Sequence, residues 1–342
     1  MQNELNKRFF SLLADDKKFI KNFIVNWEYI DKARKREANS EVVDAADFFK
    51  YNGPEDLVLW FNWLRFQQGQ FISMNNVAPL IATSESTDKE IFNRLGLPFE
   101  HPNYSNNIGL DNALDFYFPT MYPAPERYKI SRVLDFGAGF GRQANLYTRP
   151  EAGYTYIAMD AIPKSYCLQH LYFKTLNRGV VDYLDNPSAF SLDLNKESGF
   201  YHLPTWRYDL IPSGSLDLVI CVQVLPELSS ELVRKMISEF SRMLKPGGMI
   251  YIRDHKDKWV PAGKVDKDAV LLKNGFVKEY EGHVMDKEDI HGIPRIWRKK
   301  DPKVMASQER TDKEKLRQFF ADADAFTGGL LSRIKGRIGT KS

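Results

Sequence analysis

The sequence predicts an α/β fold in which a doubly wound, mostly parallel sheet follows a helical N-terminal region. Strand-like apolar runs alternate with helical patterns from residue 131 onward, which is typical of parallel strands joined by right-handed crossovers. The run LDLVICV (216–222) is continuously apolar, as expected of a strand that is buried on both faces. In addition, the strand RVLDF (132–136) leads directly into a glycine-rich turn.

Residues 1–118 are predicted to form a helical cap and lid. Pro54 suits the first turn of a helix, and Thr87 with Glu90 has the S/T-x-x-E spacing of a capping box. Residues 98–125 are rich in Asn, Pro and aromatic side chains, which predicts a loop or lid with a short helix and not a regular element.

Residues 119–300 are predicted to form the sheet domain, and 301–342 a charged C-terminal tail. The predicted strands are 132–136, 154–160, 216–222, 249–253, 277–282 and 295–299. The predicted helices are 163–176, a helix capped by Ser229 or Ser230 that ends at Leu244, and 265–276. KPGG (245–248) is predicted to be a turn.

Composition excludes several classes of protein. The 342 residues carry 48 basic and 45 acidic side chains, and the net charge of +3 is too small for a protein that mainly coats nucleic acid. Cys167 and Cys221 lie in apolar segments without metal-ligand spacing, so we expect no disulfide framework, no zinc site and a cytoplasmic location. We also expect no membrane span and no signal peptide, because no apolar run approaches ~20 residues.

The strongest chemical signal is VLDFGAGFGR (133–142), in which Gly137, Gly139 and Gly141 follow a strand. Glycines allow a tight turn and let a ligand approach the backbone without a Cβ clash. A dinucleotide site would have the spacing G-x-G-x-x-G, with a pyrophosphate on the helix N-terminus. Here the spacing is G-x-G-x-G, and Asp135 at the strand tip would repel a pyrophosphate. The loop therefore favours a cationic or amino-bearing ligand.

This segment resembles motif I of the class I S-adenosylmethionine (SAM)-dependent methyltransferases. Asp160 after the second strand, LDLVICVQVL, MLKPGGMIYI and LLKNGF resemble later features of that family in the same order. The resemblance covers residues 130–300 and implies a Rossmann-like methyltransferase sheet with SAM as the cofactor. SYCLQHLYFKTL and LPEL, with the helical N-terminal region, resemble more narrowly the sugar O-methyltransferases.

The resemblance also implies which residues bind the cofactor. Asp160 would accept from the two ribose hydroxyls, and Asp209 lies in the region where the family contacts adenine. The implied set is Asp135, Gly137, Ala138, Gly139, Gly141, Asp160, Ala161, Asp209 and Gln223.

Several of these residues have an alternative role. Asp135 can cap amides of the loop, Asp160 can cap the following helix, and Asp209 can lie in a solvated loop. Arg142 either pairs with the SAM carboxylate or is an ordinary first-turn residue. An aromatic cluster is either an acceptor platform or packing between cap and sheet; its members are Tyr104, Phe116, Tyr117, Phe118 and Tyr122.

Catalytic candidates follow strands 216–222 and 249–253, because doubly wound sheets bind ligands outside the carboxyl ends of their strands. A hydroxyl acceptor needs a general base, and the candidates are His255, with Asp254 beside it, and Glu227. In the alternatives, His255 is an exposed loop residue and Glu227 a helix-start acid or a ligand of the acceptor. A divalent metal on Glu227 and Asp254 is a further alternative.

We therefore predict a SAM-dependent methyltransferase that acts on a hydroxyl of a small molecule, a sugar or nucleotide-linked sugar first. The alternatives are another small molecule, a protein or a nucleic acid as acceptor, or a catalytically inactive subunit of an assembly. No nucleic-acid partner is expected, since QVLPEL (223–228) lacks the Asn/Asp-Pro-Pro-aromatic loop common in base-amine methyltransferases. The basic residues Arg333 to Lys341 form either a weak membrane-surface contact or a solvated terminus.

Overall fold

A computed structural model describes most of the chain. The described residues are 2–16, 35, 50–64, 77–101, 104–121, 128–254, 265–282 and 292–301. Met1–Lys299 form one compact unit and Lys300–Ser342 another, of which only Lys300 and Asp301 are described.

Helices come first along the chain, and strands alternate with helices after residue 131. The described helices are α1 (Gln2–Asp15), α2 (Glu55–Leu64), α3 (Ala78–Arg94), α4 (Ile108–Met121), α5 (Ala144–Tyr147), α6 (Pro163–Leu176), α7 (Ser230–Met243) and α8 (Lys267–Lys273). The strands are β1 (Arg132–Phe136), β2 (Thr155–Asp160), β3 (Val181–Asp182), β4 (Gly199–Pro204), β5 (Leu216–Val222), β6 (Leu244–Asp254), β7 (Phe276–Glu281) and β8 (Ile293–Lys299). Within the described ranges, no helix is long and apolar enough to cross a membrane.

The strands form one sheet in the order β3-β4-β2-β1-β5-β6-β8-β7. Neighbours from β3 to β6 are parallel, and β8 runs antiparallel to both β6 and β7. The predicted doubly wound, mostly parallel sheet is therefore confirmed. The chain moves outward from β1 to β2 and β4, then returns to β5 on the other side of β1. Ligands bind at the carboxyl ends of the strands where the order reverses in this way.

The centre of the sheet is fixed by side chains that are buried on both faces. Val133 and Leu134 of β1 and Leu218, Val219 and Ile220 of β5 have no exposed surface. Burying a Val, Leu or Ile side chain stabilises a fold by about 1.5–3 kcal/mol. This core fixes the ends of β1 and β5 and hence the loops that follow them.

Three predictions of local structure are wrong. Thr87 does not begin a helix but lies inside α3, where its hydroxyl donates to the Thr83 carbonyl at 2.9 Å; the helix begins earlier because Pro79 occupies its first turn. Residues 108–121 form the regular helix α4, since burial of its apolar side chains outweighs weak local propensity. KPGG continues β6, with a shift in its register against β5.

Three of the four described members of the aromatic cluster pack as core, and the fourth, Tyr117, is half-buried. Tyr104, Phe116 and Phe118 are buried, and the Phe116 ring lies 4.7 Å from that of Tyr147. Tyr122 lies outside the described residues. The packing alternative therefore accounts for these three rings.

Candidate active site

The glycine-rich turn after β1 closes against the end of β2. Gly137, Gly139 and Gly141 have φ values of +76°, +60° and +93°, which other residues rarely adopt. The N–H groups of Gly137 and Ala138 donate to the Met159 carbonyl at 2.8 and 3.1 Å. These bonds fix the turn to the carboxyl edge of the sheet.

The missing side chains leave room on two sides of this turn. A Cβ on Gly137 would overlap Val224, in the segment after β5. A Cβ on Gly139 would lie 3.5 Å from Cζ2 of Trp60, on α2. The helical N-terminal region therefore reaches the glycine loop at Gly139.

Asp135, at the end of β1, is buried and accepts from the Tyr156 hydroxyl at 2.6 Å. Burial raises its pKa to about 7, and the Tyr156 bond and the Arg142 charge oppose that rise. Its hydrogen bond is therefore to a side chain, not to the loop amides that the capping alternative requires. A carboxyl that titrates near neutrality can balance a cationic ligand.

Asp160, at the end of β2, is surrounded by donors. Its Oδ1 accepts from the Ala161 and Ile162 N–H groups at 2.7 and 2.9 Å, which is the helix-capping contact. Its Oδ2 lies 3.3 Å from both Gly139 N and Gln169 Nε2. Burial raises the Asp160 pKa to about 6, although all four donors lower it. The two long contacts make Oδ2 the oxygen better able to accept from a ribose hydroxyl.

The segment after β5 brings Gln223 and Glu227 to the same edge of the sheet. Gln223 has φ +61°, a conformation that costs a non-glycine residue about 1–3 kcal/mol and that often marks functional sites. Its N–H donates to the Arg253 carbonyl at 3.0 Å. Glu227 is exposed and ends the 3-10 turn Leu225–Glu227.

Glu227 combines an exposed side chain with a raised pKa. Burial, and then the charges of Asp160 and Asp254, raise this pKa to about 7. The side chain keeps accessible surface, so we assign only the direction of the shift to its partial burial and to these two charges. Among the exposed acids that the sequence analysis selected, Glu227 therefore has the pKa nearest to 7.

Asp254, at the end of β6, is fully buried, and its Oδ2 accepts from Lys267 Nζ on α8 at 3.0 Å. Burial raises its pKa, which the Lys267 charge opposes. It has no accessible surface with which to contact an acceptor. His255 lies outside the described residues, so its role as a base stays a prediction. In the part of the chain that the structure describes, no three His, Cys, Asp or Glu side chains come together as a metal site.

Arg142 pairs with Asp115 of α4, whose Oδ2 accepts from its Nη2 at 2.5 Å. Asp115 also accepts from the Tyr251 hydroxyl at 2.8 Å and from two nitrogens of Arg253, each at 2.8 Å. This buried cluster joins the helical region to the glycine loop and to the end of β6. Nothing local in the sequence points to Asp115 beyond its being an acid within an apolar segment.

Asp209 is exposed in the 3-10 segment Thr205–Leu210, which follows β4. Its carboxylate accepts from Arg207 Nε at 3.0 Å. The residue lies past the carboxyl end of a strand next to β2, and its contact with adenine stays a prediction.

The residues around the loop fit SAM and do not fit a dinucleotide. The charge of Asp160 acts on both Asp135 and Glu227, so three carboxyls lie within electrostatic range of the loop. They would repel a pyrophosphate and stabilise a sulfonium or ammonium group. Asp160 also offers oxygens to ribose hydroxyls.

Comparison with known proteins agrees with this chemistry. A family model described as a methyltransferase domain matches residues 92–299. The tRNA N(3)-cytidine methyltransferase METTL2 of Danio rerio is 32% identical over 90 residues, which are 26% of this chain and 23% of that protein. The Gallus gallus protein of the same name is 47% identical over 68 residues, 20% of this chain and 18% of that protein. The chain spans less than a quarter of the length of these curated relatives.

Solved structures of low sequence identity are also similar. A SAM-dependent methyltransferase of Methanosarcina mazei is 17% identical, with 53% of this chain and 98% of that chain covered and a TM-score of 0.36. Phosphoethanolamine N-methyltransferase 2 of Haemonchus contortus, in complex with SAM, is 16% identical, with 65% and 48% covered and a TM-score of 0.35.

Proposed function

The chain belongs to the methyltransferase domain family, its cofactor is SAM, and we propose that it methylates a hydroxyl of a small molecule, a sugar or nucleotide-linked sugar first. The observation that carries the choice of a hydroxyl is Glu227. Its exposed carboxyl lies past the carboxyl end of β5, and its pKa is raised to about 7. Removal of a hydroxyl proton is fastest with a base whose pKa lies near the working pH.

The described residues divide into those that hold the cofactor and one that handles the proton. Asp160 accepts from the ribose hydroxyls, and Asp135 balances positive charge near the glycine loop. When bound, SAM supplies a methyl group that its sulfonium already activates. Glu227 would take the hydroxyl proton as the acceptor oxygen bonds to the methyl carbon and the bond from that carbon to the sulfonium sulfur breaks. S-adenosylhomocysteine would then leave, and the ether product would carry no charge. Positioning of the acceptor can lower the free-energy barrier to methyl transfer by roughly 7–11 kcal/mol.

We place the acceptor beside the helical N-terminal region. Trp60 on α2 approaches Gly139, so this region flanks the loop at that residue. Flat aromatic rings also contact sugar faces well. The acceptor would then lie between α2 and the segment that carries Glu227.

A ring nitrogen of cytidine in tRNA is the second candidate acceptor, and the relatives named above favour it. The chemistry differs in one respect. The nitrogen attacks with its lone pair and has no proton to lose, so the product is a cation. Glu227 would then act by its charge and not as a base.

The test supplies SAM with a deuterated methyl group to the protein together with either a pool of sugar nucleotides or a pool of tRNA. Mass spectrometry then identifies which pool gains the labelled methyl group. We expect labelled sugar, and we expect Glu227→Gln to lower turnover by about 10²-fold or more. Glu231→Gln, an exposed acid at the start of α7, is the matched control and should retain full turnover.

Label in tRNA alone would replace the hydroxyl proposal with the cytidine one. SAM binding without label in either pool would favour the inactive-subunit alternative. If Glu227→Gln turned over at the native rate, His255→Ala would be the next variant to examine.

A further inference from the structure

Gln169, on α6, links the glycine loop to Asp160. Its side-chain nitrogen donates to the Gly139 carbonyl at 2.7 Å and lies 3.3 Å from Asp160 Oδ2. The Gly139 N–H lies 3.3 Å from the same carboxylate oxygen. Both ends of Gly139 are therefore tied to one carboxylate, directly through its N–H and through Gln169 at its carbonyl.

Gln169 is an unfavourable residue for packing alone. The side chain is fully buried, and its Oε1 has no hydrogen-bond partner among the described residues. An unpaired buried polar atom costs about 1–3 kcal/mol, which an apolar side chain of similar size would avoid. The contacts of its nitrogen are what offset this cost.

We propose that Gln169 is a positioning residue for the cofactor, which holds the Gly139 carbonyl and the Asp160 carboxylate together so that Asp160 Oδ2 faces a ribose hydroxyl. The proposal rests on the ribose role proposed for Asp160 and does not depend on the identity of the acceptor.

The hydrogen bonds of Asp160 explain why one amide controls its orientation. Two backbone N–H groups hold Oδ1 at 2.7 and 2.9 Å, whereas among the described residues Oδ2 has only the two 3.3 Å contacts. Loss of Gln169 removes one donor from Oδ2 and also the donor that holds the Gly139 carbonyl. Oδ2 then loses its alignment with the loop, which the bonds to the Met159 carbonyl still hold in place.

The experiment measures the affinities of S-adenosylhomocysteine (SAH) and of its 2′-deoxyribose analogue by titration calorimetry. The native protein should bind SAH about 10- to 100-fold more tightly, the range for one hydrogen bond to a charged group. In Gln169→Leu this ratio should fall to within about threefold, with little change in the affinity for the deoxy analogue. Gln169→Met, which is flexible and of similar volume, serves if the Leu variant does not fold.

Tyr172→Phe is the matched control on the same helix. This change removes the buried hydrogen bond from Tyr172 to Asp88, which involves neither Gly139 nor Asp160. The variant should therefore keep the native ratio of the two affinities. If the Gln169 variants kept the native ratio of affinities, the proposal would be overturned, even if both affinities fell. General damage to α6 would lower both affinities alike and so would not change their ratio. A native protein that binds both ligands equally would also overturn it, by removing the ribose role of Asp160. Equal binding of the two ligands would not contradict the proposed methyl transfer to a hydroxyl. Conversely, failure to detect such transfer would not change the expected ratio of affinities.

Discussion

Gly139 shows how little freedom a single residue of the glycine loop has. Its N–H and carbonyl are both engaged, and its φ of +60° is one that a β-branched residue strongly resists. Its open face meets Trp60. Loop shape and contact with α2 therefore both depend on the absence of one side chain, and we propose that the approach of the cofactor does so too.

We expect Gly139→Val to lower SAH affinity by at least tenfold, because its methyl groups enter the space along the loop. Left-handed backbone costs a residue with a Cβ about 1–2 kcal/mol, so stability also falls. Gly153→Val is the matched control, since Gly153 has φ +67° and open space around it. It should lose similar stability and bind SAH normally. Normal SAH affinity in Gly139→Val would contradict the site, and titration calorimetry measures it.

The titration of Glu227 is the second prediction at this scale. A base must be ionised, so kcat/KM should rise with pH through about 7 and level off above it. Asp135 also titrates near 7, so SAH affinity is measured over the same range to separate binding from chemistry. Glu227→Gln should abolish the part of the rise in kcat/KM that the pH dependence of SAH affinity does not explain. A rise of native size in that variant would exclude Glu227 as the base.

Among the elements, α3 is joined to the sheet domain by a buried carboxyl. Asp88 of α3 accepts from the Tyr104 and Tyr172 hydroxyls, each at 2.5 Å, and from Asn145 Nδ2 at 3.4 Å. Burial raises the Asp88 pKa to about 6, although these donors lower it. The ionised form is therefore less stable in the folded protein than in the unfolded chain.

This shift fixes the sign of a pH effect on stability. A raised pKa means that the folded state holds the proton of Asp88 more tightly than the unfolded chain does. The protonated carboxyl therefore stabilises the fold below about pH 4, and this stabilisation is lost as the pH rises through about 6. Between pH 4 and 7, the difference in unfolding free energy between the native protein and Asp88→Asn should shift by roughly 2 kcal/mol in favour of the variant. Denaturant titrations at pH 4, 5, 6 and 7 measure it. A difference that does not change with pH would show that Asp88 is not the titrating group.

The elements that local sequence could predict are those whose reason is local. β1, β5 and β6 are apolar because both their faces are buried, and Ser229 caps α7 by accepting from the Leu232 N–H at 3.3 Å. β4 could not be predicted. Its His202 interrupts the apolar pattern, and the partner of that buried imidazole is Asp182, 20 residues away, at 2.8 Å.

The same distinction holds for the site. The glycines, Asp135 and Asp160 were recognisable because they are adjacent to strand ends. Asp115 meets Arg253 across 138 residues and Gln169 meets Gly139 across 30, so their roles depend on contacts that only the folded chain forms.

At the scale of the whole molecule, the helical N-terminal region does not stand apart from the sheet. Met1–Lys299 form one compact unit. The Phe9 ring of α1 lies 5.3 Å from that of Tyr166 and 5.5 Å from that of Trp206, whose Nε1 donates to Asp16 at 2.9 Å. A boundary at residue 118 therefore describes a change of local structure, and we propose that it is not a boundary of folding.

Phe9→Ala tests this proposal. Phe9 has no exposed surface, and truncation of such a ring costs about 3–5 kcal/mol through lost burial and the cavity left behind. If residues 1–299 fold together, calorimetry should show one thermal transition for that unit in the native protein. Phe9→Ala should lower the midpoint temperature of that single transition. Lys7→Ala, exposed on the same helix, should change the unfolding free energy by less than about 0.5 kcal/mol. Two separate transitions, of which Phe9→Ala moves only one, would instead make the helical region an independent domain.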